Sequence, residues 1–226
     1  MTRPRGGNDR GGNDRGGNHR GGNHRGGNHR GGNHRGGNGT IVLSLGSNLG
    51  DRLANLQFGM DVLACGGLDL QAVSSVYETD PVGGVDQADY LNAVLLAGSS
   101  LPPRDILARC ATAETAAGRV RTQRWGPRTL DVDIIICGAV VSADPALTLP
   151  HPRAHEREFV LVPWLELDAH AVLPGRGPVA SLLRALPATP DSTGPYSTGP
   201  NSSGTVRRRP ELRLTLPVPE ADAPCS

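Results

Sequence analysis

The sequence predicts an α+β fold of the ferredoxin-like type, a βαββαβ core with extra C-terminal helices. Two observations predict it. Between residues 41 and 136 the apolar residues run in the order strand, helix, strand, strand, helix, strand. The aliphatic residues that can build a core are also confined to the middle of the 226-residue chain, with glycine and proline concentrated toward its ends.

Each element has its own signal. Ile41-Val42-Leu43-Ser44-Leu45 is an apolar run of buried-strand length. Gly46-Ser47-Asn48 ends it, and Asp51 is placed to cap a helix on which Leu53, Leu56, Met60 and Leu63 share one face. Gly66-Gly67 stops that helix, and Leu68–Tyr77 alternates as a second strand. Residues 78–88 carry Gly, Pro and Asp and are expected to form a loop before a third strand, Tyr90–Ala97. Pro102 stands where a second helix starts, with Ile106, Leu107, Cys110 and Ala113 as its apolar face. Arg119–Thr129 is a polar, Arg-rich loop and Leu130–Ile136 the fourth strand. A loop over Ser142–Glu158 and short helices at Val160–Leu167 and Val179–Leu186 complete the folded domain, residues 40–186.

Both flanks are expected to be disordered. Residues 6–35 are six pentapeptides, GGNDR twice and GGNHR four times, and so much glycine cannot offset its ordering entropy. Residues 187–226 are rich in Pro, Ser, Thr and Gly, with two STGP copies at Ser192–Pro195 and Ser197–Pro200. The 1–39 tail carries the basic charge, whereas the 40–186 domain is mildly acidic. The Arg-Gly-Gly spacing leaves one alternative function open, an RNA-associated binding protein acting through its tail, although nucleic acid is not the expected partner. The tail histidines at 19, 24, 29 and 34 offer at most weak metal binding.

Composition excludes several chemistries. The chain has no lysine, so a P-loop, a Schiff-base enzyme and a protein kinase are all ruled out. Any phosphate chemistry must use Arg and a metal. Cys65, Cys110, Cys137 and Cys225 form no CxxC pair and read as small buried residues in a reducing compartment. No apolar run is long enough for a secretory leader or a membrane span, so a cytoplasmic protein without membrane contact is expected.

The chemistry concentrates between Arg119 and Asp133. Arg119, Arg121, Arg124 and Arg128 are followed by Asp131 and Asp133 at the start of an apolar strand. Side chains two apart on a strand share a face, so both carboxylates point to one place and Val132 turns into the core. Two carboxylates held together repel unless a cation joins them, and Mg²⁺ commonly takes one or two carboxylates together with substrate phosphates. The arginines supply forked donors for phosphate oxygens. Together these suggest phosphoryl transfer to an alcohol; the competing reading is a solvated strand end with an Arg-Asp ion-pair network. His151, held between Pro150 and Pro152, suits a phosphate contact, and Pro152 disfavours an HxxxH zinc helix with His155. Tyr90 and Asn92 share a strand face. With Phe159, Tyr90 offers two rings to sandwich a flat ligand, whose polar edge Asn92 can read.

In order, these segments resemble the 6-hydroxymethyl-7,8-dihydropterin pyrophosphokinase family from about Ile41 to Pro174. The resemblance rests on Leu45-Gly-Ser-Asn-Leu-Gly-Asp51, Ser75-Val-Tyr-Glu-Thr-Asp-Pro-Val-Gly83, Asp86-Gln-Ala-Asp-Tyr-Leu-Asn-Ala93, Gly118-Arg-Val-Arg121, Arg124-Trp-Gly-Pro-Arg-Thr-Leu-Asp-Val-Asp133, Leu149-Pro-His-Pro152 and Arg157-Glu-Phe-Val-Leu-Val-Pro163. It implies transfer of the β,γ-diphosphate of ATP to the dihydropterin alcohol in folate biosynthesis, leaving AMP. It also implies two Mg²⁺ ions on Asp131 and Asp133. Arg119, Arg121, Arg128 and His151 then take the catalytic positions, and Arg119, Arg128, Thr148, His151 and Arg157 the ATP positions. Thr79, Val82, Tyr90, Asn92, Trp125 and Phe159 take the substrate positions. A monomer binding ATP and a hydroxymethyl dihydropterin is expected. Val85 and Ala88 stand where many members have Pro, and Pro152 where some have Tyr.

Overall fold

A computed structural model describes residues 39–80, 87–119, 126–187 and 206–218. Its first strand, β1 (Ile41–Ser47), is buried along its whole length, with Ile41, Val42, Leu43 and Leu45 supplying its apolar side chains. Helix α1 (Arg52–Cys65) follows; the Asp51 carboxylate accepts from the Ala54 N–H at 3.1 Å and caps it as expected. The predicted second strand is two strands, β2 (Asp69–Val73) and β3 (Tyr77–Thr79), so Glu78 and Thr79 belong to the sheet and not to the loop. The break falls at Ser74, whose hydroxyl accepts the Val94 N–H at 3.0 Å while its own N–H donates to Val94 O at 3.0 Å. β4 (Tyr90–Gly98) pairs with both segments, and α2 (Pro103–Ala116) leads toward β5 (Asp131–Cys137).

The predicted Ser142–Glu158 loop is more structured than expected. It contains the hairpin β6 (Ser142–Asp144) and β7 (Leu147–Leu149), a cis Leu149–Pro150 bond and a 3₁₀ turn at Ala154–Glu156. α3 (Glu158–Leu167), a small hairpin of β8 (Val172–Leu173) and β9 (Gly177–Pro178), and α4 (Val179–Ala185) follow. The expectation of disorder over 187–226 does not extend to residues 206–218. There Val206 is buried, β10 (Arg207–Arg208) pairs with β3, and Leu212, Leu214 and Leu216 pack on the core. The 1–38 repeat tail lies outside the described residues.

The main sheet is antiparallel, in the order β10-β3-β4-β1-β5, with β2 also beside β4. One face, carrying Leu43, Leu45, Leu91, Leu95 and Val132, packs on α1 and α2 through Leu56, Met60 and Ile106. On the other face Val42, Val94 and Ile136 meet α3 and α4 through Val160, Leu161 and Val179. Past Val42 and Val94, the residues continuing that second face are Ser44, Gly46 and Asn92, followed by the carboxylates of β5. They are too small or too polar to serve as core, and they form the floor of a cleft. Cys65 is exposed, against the expectation that the cysteines are buried; Cys110 and Cys137 are buried.

Candidate active site

The cleft has a volume of about 400 Å³. Its floor is set by register. Gly46 on the central strand β1 pairs with Asn92 on one side and Asp131 on the other, and Ser44 pairs with Asp133. The alternation that turns Leu43 and Leu45 into the core therefore turns Ser44, Gly46, Asn92 and both aspartates to the same side. Gly46 has no side chain to fill this floor; a Cβ there would stand 3.2 Å from Asn92 Oδ1.

At the polar end of the cleft, carboxylates and arginines alternate. Arg119 is ion-paired with Asp131 at 2.6 Å and with Glu114 of α2, and Arg128 donates to the other oxygen of Asp131. Glu114 also accepts the Val132 N–H at 3.0 Å, tying α2 to the strand between the two aspartates. Arg157 donates to Asp133 Oδ2 at 2.7 Å. His151 Nε2 lies 3.8 Å from the same oxygen. The His151 N–H donates to Ile135 O, and its Nδ1 accepts the Arg153 N–H, which leaves Nε2 as the proton-bearing nitrogen of the neutral ring. Burial pushes the His151 pKa below its ordinary value against the pull of Asp133. For Arg128, burial disfavours the charge, but Asp131, Tyr90 and Asp133 together more than offset it and the guanidinium pKa rises. Cys110 lines the cleft, yet burial first, then Glu114 and Asp133, push its thiol up to about 12, so it is no nucleophile there.

At the less charged end, Asn92 Nδ2 donates to Thr79 Oγ1 at 2.8 Å, and both side chains are buried. That bond orients the amide. Tyr90 and Phe159 line the cleft, with the Arg157 guanidinium carbon 5.5 Å from the Phe159 ring centroid. Burial raises the Tyr90 pKa, so the phenol stays neutral.

Of the residues singled out from sequence, the cleft brings together Thr79, Tyr90, Asn92, Arg119, Arg128, Asp131, Asp133, Arg157 and Phe159. His151 stands just behind Asp133. Thr148 is not among the lining residues, and its hydroxyl donates to Asp144 O at 3.0 Å within the β6–β7 hairpin. Val82, Arg121 and Trp125 lie outside the described residues. Sequence reasoning missed Glu114 and Asn48. The Asn48 carboxamide accepts the Arg128 N–H at 2.7 Å and donates to Ala88 O at 3.2 Å, so it joins the two segments that flank the cleft. The signal for Glu114 was its spacing, four residues beyond Cys110 on the inward face of α2.

Asp131 and Asp133 suit a hard cation. Both are carboxylates, both line the cleft from one strand face, and their side chains keep 22% and 34% of their exposure, so water and ligand oxygens can complete a coordination shell. Among the described residues no cluster of three or more His, Cys, Asp or Glu could hold a metal by itself, so the remaining ligands would come from a substrate or water.

The chain matches known proteins over most of this domain. The model of the 7,8-dihydro-6-hydroxymethylpterin-pyrophosphokinase family matches residues 42–169. The 2-amino-4-hydroxy-6-hydroxymethyldihydropteridine pyrophosphokinase of Mycobacterium tuberculosis (strain ATCC 25618 / H37Rv) is 49% identical over 187 residues, covering 76% of this chain and 98% of that protein. The Haemophilus influenzae protein of the same name is 37% identical over 146 residues, covering 64% of this chain and 91% of its own. A crystal structure of Plasmodium falciparum HPPK-DHPS with pterin and p-hydroxybenzoate aligns with a TM-score of 0.49 at 14% identity. That alignment covers 63% of this chain and 41% of the other.

Proposed function

The chain belongs to the 7,8-dihydro-6-hydroxymethylpterin-pyrophosphokinase family, and from that membership we infer that it transfers diphosphate from ATP to 6-hydroxymethyl-7,8-dihydropterin in folate biosynthesis. The observation that carries this reading is the division of one cleft into an Arg-carboxylate end and an aromatic-amide end on a single sheet floor. A triphosphate fits the first and a flat, edge-polar ring the second. The strand order, with β1 between β4 and β5, supports a ferredoxin-like core.

In this reading Tyr90 and Phe159 enclose the pterin ring, and Asn92, oriented by Thr79, reads its donor and acceptor edge. Arg119, Arg128 and Arg157 are held by carboxylates at the opposite end and present donors to phosphate oxygens. Their pairing with Asp131 and Asp133 keeps the cleft near neutral before ATP enters. His151 Nε2 offers one further donor beside Asp133. Asp131 and Asp133 would hold two Mg²⁺ ions. When bound, these supply charge neutralisation at the transferring phosphoryl groups.

The hydroxymethyl oxygen forms the new bond to Pβ, the bridging oxygen between Pα and Pβ leaves with AMP, and the hydroxyl proton passes to water or phosphate. The protein's contribution is orientation: the ring stack aims the hydroxyl at Pβ while the arginines fix the chain of phosphates. No helix among the described residues is long and apolar enough to cross a membrane. We read the protein as a cytoplasmic monomer. The test is AMP release from ATP that depends on both the dihydropterin alcohol and Mg²⁺. ATP hydrolysis indifferent to the pterin would overturn the reading.

A further inference from the structure

The segment 206–218 lies beyond residue 169, where the family match ends, yet it is built onto the sheet edge beside the cleft, where its Arg207 reaches the cleft-lining Asp80. β3 is only three residues long. β4 holds one of its edges and β10 covers the other, pairing Arg207 with Glu78 and Arg208 with Tyr77. A strand this short with an open edge is weakly held. The Arg207 guanidinium then donates through one terminal nitrogen to Asp80 Oδ1 and through the other to Asp89 Oδ2, each at 2.8 Å. Asp80 directly follows Thr79, and Asp89 directly precedes Tyr90. One fork therefore ties together the ends of the two strands that carry these cleft residues. Beside it, the buried Val206 sits in a cluster with Tyr77 and Val162, against which Phe159 also packs.

We propose that Arg207 is a positioning residue for the dihydropterin end of the cleft, bracing the end of the β3–β4 ladder where Thr79 pairs with Tyr90 from outside the part of the chain that the family model matches. The role rests on the reading above of those residues as pterin contacts. It requires Arg, because a planar fork reaches two carboxylates at once whereas an ammonium is a single point charge. Arg207, Asp80 and Asp89 keep 40%, 43% and 39% of their side-chain exposure, so the pairs add little to global stability and their effect is local.

The test compares the full chain with Arg207→Ala and Arg207→Lys. For Arg207→Ala, KM for the dihydropterin alcohol is expected to rise about three- to tenfold, with KM for ATP and the unfolding midpoint nearly unchanged. Arg207→Lys should fall between wild type and Ala. An unchanged pterin KM overturns the proposal. So does a parallel rise in both KM values with a drop in the unfolding midpoint, the mark of a merely structural residue. Direct fluorescence titration with the dihydropterin separates two failures. A wild type that binds none overturns the reading of the cleft and this role with it, whereas equal binding by wild type and Arg207→Ala overturns this role alone.

Discussion

Gly46→Ala places one methyl group on the floor of the cleft, and the structure gives that methyl two opposing effects. Gly46 is in a strand with no positive φ, so alanine adopts its backbone without strain and removes unfolded-state entropy, a gain of roughly 0.5–1 kcal/mol. The same Cβ would stand 3.2 Å from Asn92 Oδ1 and 3.8 Å from Tyr90 Cδ1. The first distance is tighter than an ordinary contact, so the carboxamide must give by a few tenths of an ångström. Asn92 is buried and bonded to Thr79 at 2.8 Å, so moving it weakens that bond or misaligns the edge it offers to the pterin. A hydrogen bond has a net worth of about 0.5–1.5 kcal/mol, which corresponds to roughly two- to tenfold in affinity. The two stability effects nearly cancel, so the expected variant stays within about 1 kcal/mol of wild type, binds dihydropterin roughly two- to tenfold more weakly, and keeps its ATP affinity. Urea unfolding together with separate titrations of the two ligands reads all three quantities. Unchanged pterin binding, or a loss confined to ATP, would refute the assignment of this floor to the pterin.

Three other predictions follow from the same geometry. Asp133→Asn should lower turnover roughly 10²–10³-fold and raise the Mg²⁺ concentration needed for half-maximal rate. It should cost about 1 kcal/mol or less of stability, because the Arg157 pair is partly exposed; wild-type-like turnover would remove Asp133 from the metal site. Glu78 is raised by burial but held below the ordinary carboxylate range by hydrogen bonds from Arg52 and Arg209. Its folded pKa is thus below the unfolded one, so its contribution to stability is present above pH 4.5 and lost as pH falls through the folded value. Urea midpoints of Glu78→Gln should therefore fall less steeply with acid than those of wild type, and parallel curves would contradict this. Deleting residues 1–38 should leave kcat/KM within about twofold, measured by AMP release. A large loss would give the repeat tail a part in the chemistry.

The order of the main elements was legible because the apolar residues change period from two to 3.6 and back, with Gly66-Gly67 and Pro102 marking the boundaries. The break between β2 and β3 was not, because alternation runs on through Ser74 while the hydrogen bond replacing the ladder comes from its side chain. That the aspartate pair, Tyr90 and Asn92 share one side of the sheet was legible, since period two on a strand determines which side chains share a face. Asn48 was read only as the end of a strand. Its bonds to Arg128 and Ala88 join segments 80 and 40 residues away, and no local pattern carries such a contact. Residues 206–218 were hidden by their Pro- and Ser-rich surroundings, although Leu212, Leu214 and Leu216 alternate as a packed extended segment does. Arg207 was one of three consecutive arginines in sequence; only the fold brings it to Asp80 and Asp89.

In the proposed reaction two phosphoryl groups move together from ATP to the pterin alcohol. Phosphorus NMR of a complete reaction with ATP, Mg²⁺ and 6-hydroxymethyl-7,8-dihydropterin tests it most directly. Equal amounts of AMP and a pterin ester with two coupled phosphorus resonances are expected. ADP with a pterin ester showing a single resonance, or free diphosphate with the alcohol unchanged, would contradict it.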